Sequence, residues 1–347
     1  MIPYGKQTID QADIDAVAAA LSSDYLTTGP LVKEFEARFA EFVGAKYAVA
    51  VANATDALHL AMLVAGVTKG DRVVTSPNTF LSSANCAAFV GATPDFADID
   101  AESYNLCPKS LATNWKDDTK AVVVVDYAGM PANLPEISKI ARDNGAIVIE
   151  DACHGTGGAF KYNGHWHQLG GNEYVDMATF SFHPVKTMTT GEGGMLVTDN
   201  LAFAEKARKL RMHGMSRSPE EFLGFNTGNP RIDEVGPWVY EMQELGYNHR
   251  ITDFQCALGL SQLKKLPQFI SRRNDIIALY DKAFSDCEGI ITPHVPDWIE
   301  DSSKLSRHLY TVQVDFEQLG MSRTEFMSTL RAQGIGCLLY TSDAADD

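Results

Sequence analysis

The residues of this chain best placed to do chemistry lie in the run Thr179-Phe180-Ser181-Phe182-His183-Pro184-Val185-Lys186, followed by Thr190-Gly191-Glu192-Gly193-Gly194. A lysine amine attacks an aldehyde only when unprotonated, so a nucleophilic lysine needs burial or a neighbouring positive charge to lower its pKa. Lys186 follows a short apolar run and precedes a glycine-rich turn, a setting that presents one side chain without losing core. An average lysine is a solvated surface group. What sets Lys186 apart is the upstream run Glu150-Asp151-Ala152-Cys153-His154. Asp151 ends the apolar stretch Ala146-Ile147-Val148-Ile149, and a carboxylate desolvated at a strand end needs a cationic partner. A protonated pyridine nitrogen is such a partner. A Schiff-base lysine paired with a pyridinium-holding aspartate points to pyridoxal 5′-phosphate.

These groups need a scaffold that gathers strand ends. Strands over 47–51, 72–76, 95–97, 121–126, 146–151 and 195–198 alternate with helices over 57–63, 79–90, 134–143 and 201–213. Such alternation implies an α/β fold with a large, mostly parallel sheet covered on both faces and ligands at the carboxyl ends of its strands. The run Asn53-Ala54-Thr55-Asp56 leads from the first strand into a helix. Free amides and the helix dipole there make Ala54, Thr55 and Asp56 a cradle for a dianionic phosphate. The Asp56 carboxylate is an awkward neighbour for such a group, so its amide is expected to donate while its side chain turns away. Phe80 opens the next helix at the same sheet edge, either as a core side chain or as a platform for a flat ring.

Ahead of the sheet, the spacing predicts a helix over 8–21 with Thr8 and Gln11 in a capping-box relation. A second helix starts at Pro30, carries Leu31, Phe35, Phe39 and Phe42 as an apolar stripe, and closes at Gly44. After the sheet come a helix over 253–263, another over 268–284, a strand over 309–314 and a helix over 323–333. Residues 1–250 are therefore expected to form a large domain and 251–347 a smaller α+β one. The polar and aromatic stretch 216–240 shows no periodicity. His165 and His167 flank Trp166 with no acidic or cysteine ligand nearby in sequence, too little for a metal site.

At 347 residues and 45% hydrophobic content the chain can bury a large core. A formal net charge of −16 argues against nucleic acid as a partner. The six cysteines, Cys86, Cys107, Cys153, Cys256, Cys287 and Cys337, form no CxxC pair and read as reduced thiols of a cytoplasmic protein. No apolar run approaches bilayer-spanning length, so no membrane association is expected.

With the lysine, aspartate and glycine motifs in place, the chain resembles the DegT-type nucleotide-sugar aminotransferases from about Ile2 to about Gly336. Ile2-Pro3-Tyr4-Gly5, Ser76-Pro77-Asn78-Thr79-Phe80 and the His183-Pro184-Val185-Lys186 form most resemble the branch acting at C4 in pseudaminic acid biosynthesis. The resemblance implies the fold type I architecture of pyridoxal-phosphate enzymes. It implies that Phe80 stacks on the cofactor ring, His154 lies beside it, Ser181 binds its phosphate, and Asn248 reaches the phosphate in a neighbouring subunit of a homodimer. It further implies that Tyr4, Asp24, Tyr25, Leu26 and Thr27 touch the sugar nucleotide, a UDP-linked N-acetyl sugar, with glutamate as amino donor. Sugar dehydratases of the same family carry histidine where Lys186 stands, which argues against that chemistry. A sibling enzyme for another nucleotide sugar stays open, as does a non-catalytic cofactor-binding sensor. Relatives continue with a strand, a histidine and tyrosine stretch and a closing helix, whereas Cys337 to Asp347 are acidic and unpatterned. The small domain thus reads as truncated, with a non-native ending over 337–347.

Overall fold

The structure, a computed structural model, describes residues 2–223, 236 and 238–336. The expected ending over 337–347, Cys337 included, and most of the aperiodic stretch lie outside the described residues.

One seven-stranded sheet organises the chain. Its strands are β1 (Tyr47–Val51), β2 (Arg72–Thr75), β3 (Thr93–Phe96), β4 (Thr119–Val125), β5 (Ile147–Asp151), β8 (Met177–Ser181) and β9 (Gly194–Thr198). The order is β1-β9-β8-β5-β4-β2-β3, with parallel pairing from β3 to β8 and β9 antiparallel to both neighbours. A hairpin of β6 (Ala159–Tyr162) and β7 (His165–Gln168) stands apart from it. Alternate residues of each strand serve opposite faces. On β4, Val122 and Val124 join one apolar cluster with helices α2 (Pro30–Val43) and α6 (Leu134–Asp143), while Ala121 and Val123 join the other. That second cluster is filled by α3 (Ala54–Val64), α4 (Ser82–Phe89) and α7 (Leu201–Arg211). The mostly parallel, doubly covered sheet inferred from the alternation is what the structure has.

Several local expectations need correction. Helix α1 spans Gln11–Leu21, and its capping box is Asp10 with Asp13 instead of Thr8 with Gln11. The Asp13 carboxylate is also held by Lys265 and Gln262, so tertiary contacts choose the cap. Helix α4 begins at Ser82, after bends over residues 77–79 and with Leu81 at its N-cap. Helix α5 (Pro108–Thr113) and the β6–β7 hairpin had no recognised signal. The two helices expected around Pro267 are one, α8 (Asp253–Phe284). A proline removes one helical amide bond and crowds the carbonyl four residues back, but the first half of α8 is locked by buried Cys256, Leu263 and Leu266 against α1 and α2. The expected strand over 309–314 shrinks to β13 (Gln313–Val314), paired with β12 (Ile290–Ile291) and followed by α9 (Arg323–Ala332). Within the stretch over 216–240, Ser216 is paired: β10 (Met215–Ser216) joins β11 (Glu241–Met242). Among the described residues no helix is long and apolar enough to cross a membrane.

Candidate active site

The carboxyl ends of three neighbouring parallel strands meet at one cavity of about 420 Å³. Val125 ends β4, Asp151 ends β5 and Ser181 ends β8, and all three line it. Of the residues singled out in the sequence, Ala54, Thr55, Asp56, Phe80, Asp151, His154, Ser181 and Lys186 line it together. Lys186 is only 8% exposed, which settles against the solvated-lysine reading. The turn carrying it is cross-tied: Lys186 N donates to His183 O at 2.9 Å, and Phe182 exchanges backbone bonds with Gly193 and Thr190.

Asp151 is buried and held in a fixed orientation. Ser83 Oγ donates to its Oδ2 at 2.9 Å and Cys153 N to its Oδ1 at 3.3 Å, while Thr79 Oγ1 and Ser83 Oγ lie 2.7 Å apart. Ser83 and Thr79 were not recognised in the sequence. Small hydroxyl residues flanking Phe80 were the available signal, but nothing local says that they face β5. Burial, reinforced by the Asp151 charge, pushes the Cys153 thiol up and disfavours its thiolate.

His154 is fixed by its backbone surroundings. The Ala128 amide donates to His154 Nδ1 at 3.2 Å, in a tight turn where Ala128 has φ 58. Burial, then the Lys186 cation, holds the imidazole well below its ordinary range, so the ring is neutral with its proton on Nε2. Its ring centroid lies 4.7 Å from that of His308, which sequence reasoning missed. Burial drives His308 down in the same way.

The anion cradle differs in one respect from the expectation. Asn53 caps α3 by accepting the Asp56 amide on Oδ1 at 2.8 Å, so that amide is not available for a phosphate. The Asp56 carboxylate sits 3.1 Å from His249 Nδ1. The amides of Ala54 and Thr55 remain for an anion. Gly194 permits the close approach of β9 to this cradle, since a Cβ there would collide with the Asn53 carbonyl and the Ala54 nitrogen.

Residues expected to touch substrate or partner lie outside this cavity. The turn holding Asp24, Tyr25, Leu26 and Thr27 is pinned to the start of α8, where Asp253 N donates to Leu26 O at 3.0 Å and Asp253 accepts the Gly29 amide at 2.8 Å. Asp24 and Tyr25 line a second cavity of about 710 Å³ between α1, α2 and α8. Tyr4 is half-buried near Arg273, and its neighbour Gly5 approaches Val185, the residue before Lys186. Asn248 pairs with Met212 and does not line this cavity.

A hydroxyl and amide cup at one side, a fixed buried carboxylate and a buried lysine fit a phosphorylated pyridine aldehyde in size and in donor set. Residues 7–346 match the DegT/DnrJ/EryC1/StrS aminotransferase family. The chain belongs to that family. It is a sugar aminotransferase of the EC 2.6.1 type, and its cofactor is pyridoxal 5′-phosphate. Spore coat polysaccharide biosynthesis protein SpsC of Bacillus subtilis is 40% identical over 330 residues, covering 95% of this chain and 80% of that protein. The UDP-4-amino-4,6-dideoxy-N-acetyl-beta-L-altrosamine transaminase of Campylobacter jejuni is 37% identical over 343 residues, covering 98% of this chain and 83% of that protein. The solved structure of PseC of Helicobacter pylori, an aminotransferase involved in the biosynthesis of pseudoaminic acid, superposes with a TM-score of 0.85 at 28% identity, over 99% of this chain and 86% of that one. The fold type I architecture expected from the motifs is thereby established for this family member.

Asp56 gives a direct test of the cradle. A carboxylate there would oppose a phosphate held by the Ala54 and Thr55 amides, and the Asp56 amide is taken by Asn53, so Asp56→Ser should tighten pyridoxal phosphate binding. One unit charge removed at several ångströms near a surface is worth about 1 kcal/mol, or roughly fivefold in Kd. Fluorescence titration with the cofactor measures it, and weaker binding would show that the Asp56–His249 pair supports the cup.

Proposed function

We propose that the chain transfers an amino group from glutamate to C4 of a UDP-linked 4-keto-6-deoxy-N-acetyl sugar. What carries this reading is the convergence of Lys186, Asp151 and the start of α3 on one cavity. The 37% identity to the altrosamine transaminase supports the choice of sugar. The cofactor, when bound, supplies a carbonyl for the amine and a ring that accepts electrons from the carbon losing its proton. Lys186 holds the cofactor and moves a proton between the carbon of donor or sugar and the cofactor. Asp151 keeps a proton on the pyridine nitrogen. Ala54, Thr55 and Ser181 would hold its phosphate, and Phe80 and His154 would flank its ring.

Tyr4 and the Asp24, Tyr25, Leu26 and Thr27 turn bind the sugar nucleotide in this reading. Asn248 completes the phosphate site of the other subunit, so the working unit is a homodimer with shared active sites. The division into a large domain over 1–250 and a smaller one over 251–347 belongs to the same proposal. So does a cytoplasmic location, with which the free state of the described cysteines is consistent.

A sibling activity on another nucleotide sugar is the second reading, kept because the 40% identity to SpsC, a spore coat polysaccharide biosynthesis protein, is no lower than the 37% to the altrosamine transaminase. Incubation with glutamate and a panel of keto-sugar nucleotides, followed by mass analysis of the products, separates the two. An amino sugar formed only from the UDP-linked 4-keto-6-deoxy-N-acetyl substrate supports the first. Product only from a differently linked sugar overturns it in favour of the second.

A further inference from the structure

Two acidic side chains lie behind the cavity floor, both with no exposure to solvent. Asp126 follows β4 directly, and Glu150 precedes Asp151 on β5. Asp126 Oδ1 accepts the Ala132 amide at 3.0 Å. Glu150 Oε2 accepts the Gly170 amide at 2.9 Å and the Asn172 side-chain amide at 3.2 Å. Their remaining oxygens, Asp126 Oδ2 and Glu150 Oε1, are buried and take no hydrogen bond from a donor group among the described residues. Glu150 stands opposite Val124 in the ladder, two residues before Asp126, and the two carboxyls interact directly. Ionised carboxylates are acceptors only, so a bond between two of them requires a proton.

We propose that Asp126 and Glu150 share one proton, and that this pair is a positioning device for His154 and Asp151. The physical reason is local: two interacting carboxyls with no exposure to solvent resist being ionised together. Burial raises both carboxyls, and the Glu150 charge adds to the rise at Asp126. The titratable neighbours are Asp151, whose charge raises both further, and Cys153, which feels Asp126, Asp151 and Lys186.

The positioning follows from what the pair holds. Asp126 N donates to Asp151 O at 3.1 Å, and Asp126 O accepts Gly129 N at 3.0 Å. Between them Ala128 donates to His154 Nδ1, so the turn that selects the histidine tautomer hangs from Asp126. Glu150 holds the turn over 169–172, where Gly171 packs against the Val43 carbonyl with no room for a Cβ. A single proton thus ties these two turns together across the end of β5.

The inference rests on the proposed function only in taking His154 and Asp151 to face the cofactor; the proton itself is read without turnover. Infrared spectra of the holoenzyme at neutral pH should show a protonated-carboxyl stretch that shifts in deuterium oxide. It should vanish in Asp126→Asn and in Glu150→Gln and persist in Asp151→Asn. The pH dependence of stability gives a second measure. Both folded-state pKa values are raised, so the pair costs nothing below the unfolded carboxyl range, and stability falls as pH rises from there towards neutrality. Asp126→Asn should flatten that fall by one proton. Nitrogen NMR of His154 tests the positioning. Asp126→Asn, whose amide donates to Glu150 in place of the proton, should keep the Nε2-protonated tautomer, and Asp126→Ala should mix it. A wild type without the carboxyl band, or a band that survives both Asp126→Asn and Glu150→Gln, overturns the shared proton even if every variant misfolds. The same tautomer in Asp126→Asn and Asp126→Ala overturns the positioning role.

Discussion

Lys186→Ala abolishes amino transfer and the visible absorbance of the lysine-bound cofactor. The side chain is buried in the cavity with Asp151 and the α3 start, and no other lysine lines that cavity among the described residues. Lysine is the only side chain there whose amine can form a reversible bond to the cofactor carbonyl, so truncation removes the reaction as well as a contact. Borohydride reduction of the wild type and peptide mapping check the assignment, since a label on another lysine would sink it. A second readout is electrostatic. The Lys186 cation contributes, after burial, to holding His154 and His308 well below the ordinary histidine range. In the variant both imidazoles should titrate at higher pH by NMR, and unchanged titration would place the amine away from them.

The parts of this site legible in the sequence are those carried by a single segment. Lys186 with its glycine turn, Asp151 at the end of an apolar strand, and the α3 start are each local patterns, and strand β1 falls at the expected residues. What could not be read is what depends on strand order. β5 lies between β8 and β4 in the sheet although 25 residues separate the end of β5 from the start of β8. Ser83 meets Asp151 across 68 positions, and Asn105, distant in sequence, caps the Tyr127 amide at 2.7 Å. Such pairings follow from register, which no local periodicity encodes. The misread helix boundaries have the same origin. Pro267 is a strong local stop signal, and the burial of one face of α8 outweighs it. Asp56 shows the limit in chemical form: a capping asparagine three residues back and a histidine 193 positions away determine what its amide and carboxylate do.

Asp151→Asn should leave the fold and cofactor binding largely in place and remove most of the rate. The amide is isosteric, its oxygen can still accept from Cys153 N, and the Ser83 hydroxyl can rotate to accept from the new NH2 group. What is lost is a negative charge held at a fixed point of a buried cavity. A charge-assisted hydrogen bond is worth roughly 1.5 to 3 kcal/mol, and each 1.36 kcal/mol of barrier is tenfold, so turnover should drop by about tenfold to 150-fold. The loss should shrink at lower pH, where the pyridine nitrogen can take a proton from water without help from the protein. A cofactor analogue methylated on that nitrogen carries a permanent charge and should restore much of the rate in Asp151→Asn. Rescue by the analogue ties the defect to the nitrogen. Near-normal turnover in the variant, or a defect that neither low pH nor the methylated analogue relieves, would assign Asp151 a structural role and remove it from the chemistry.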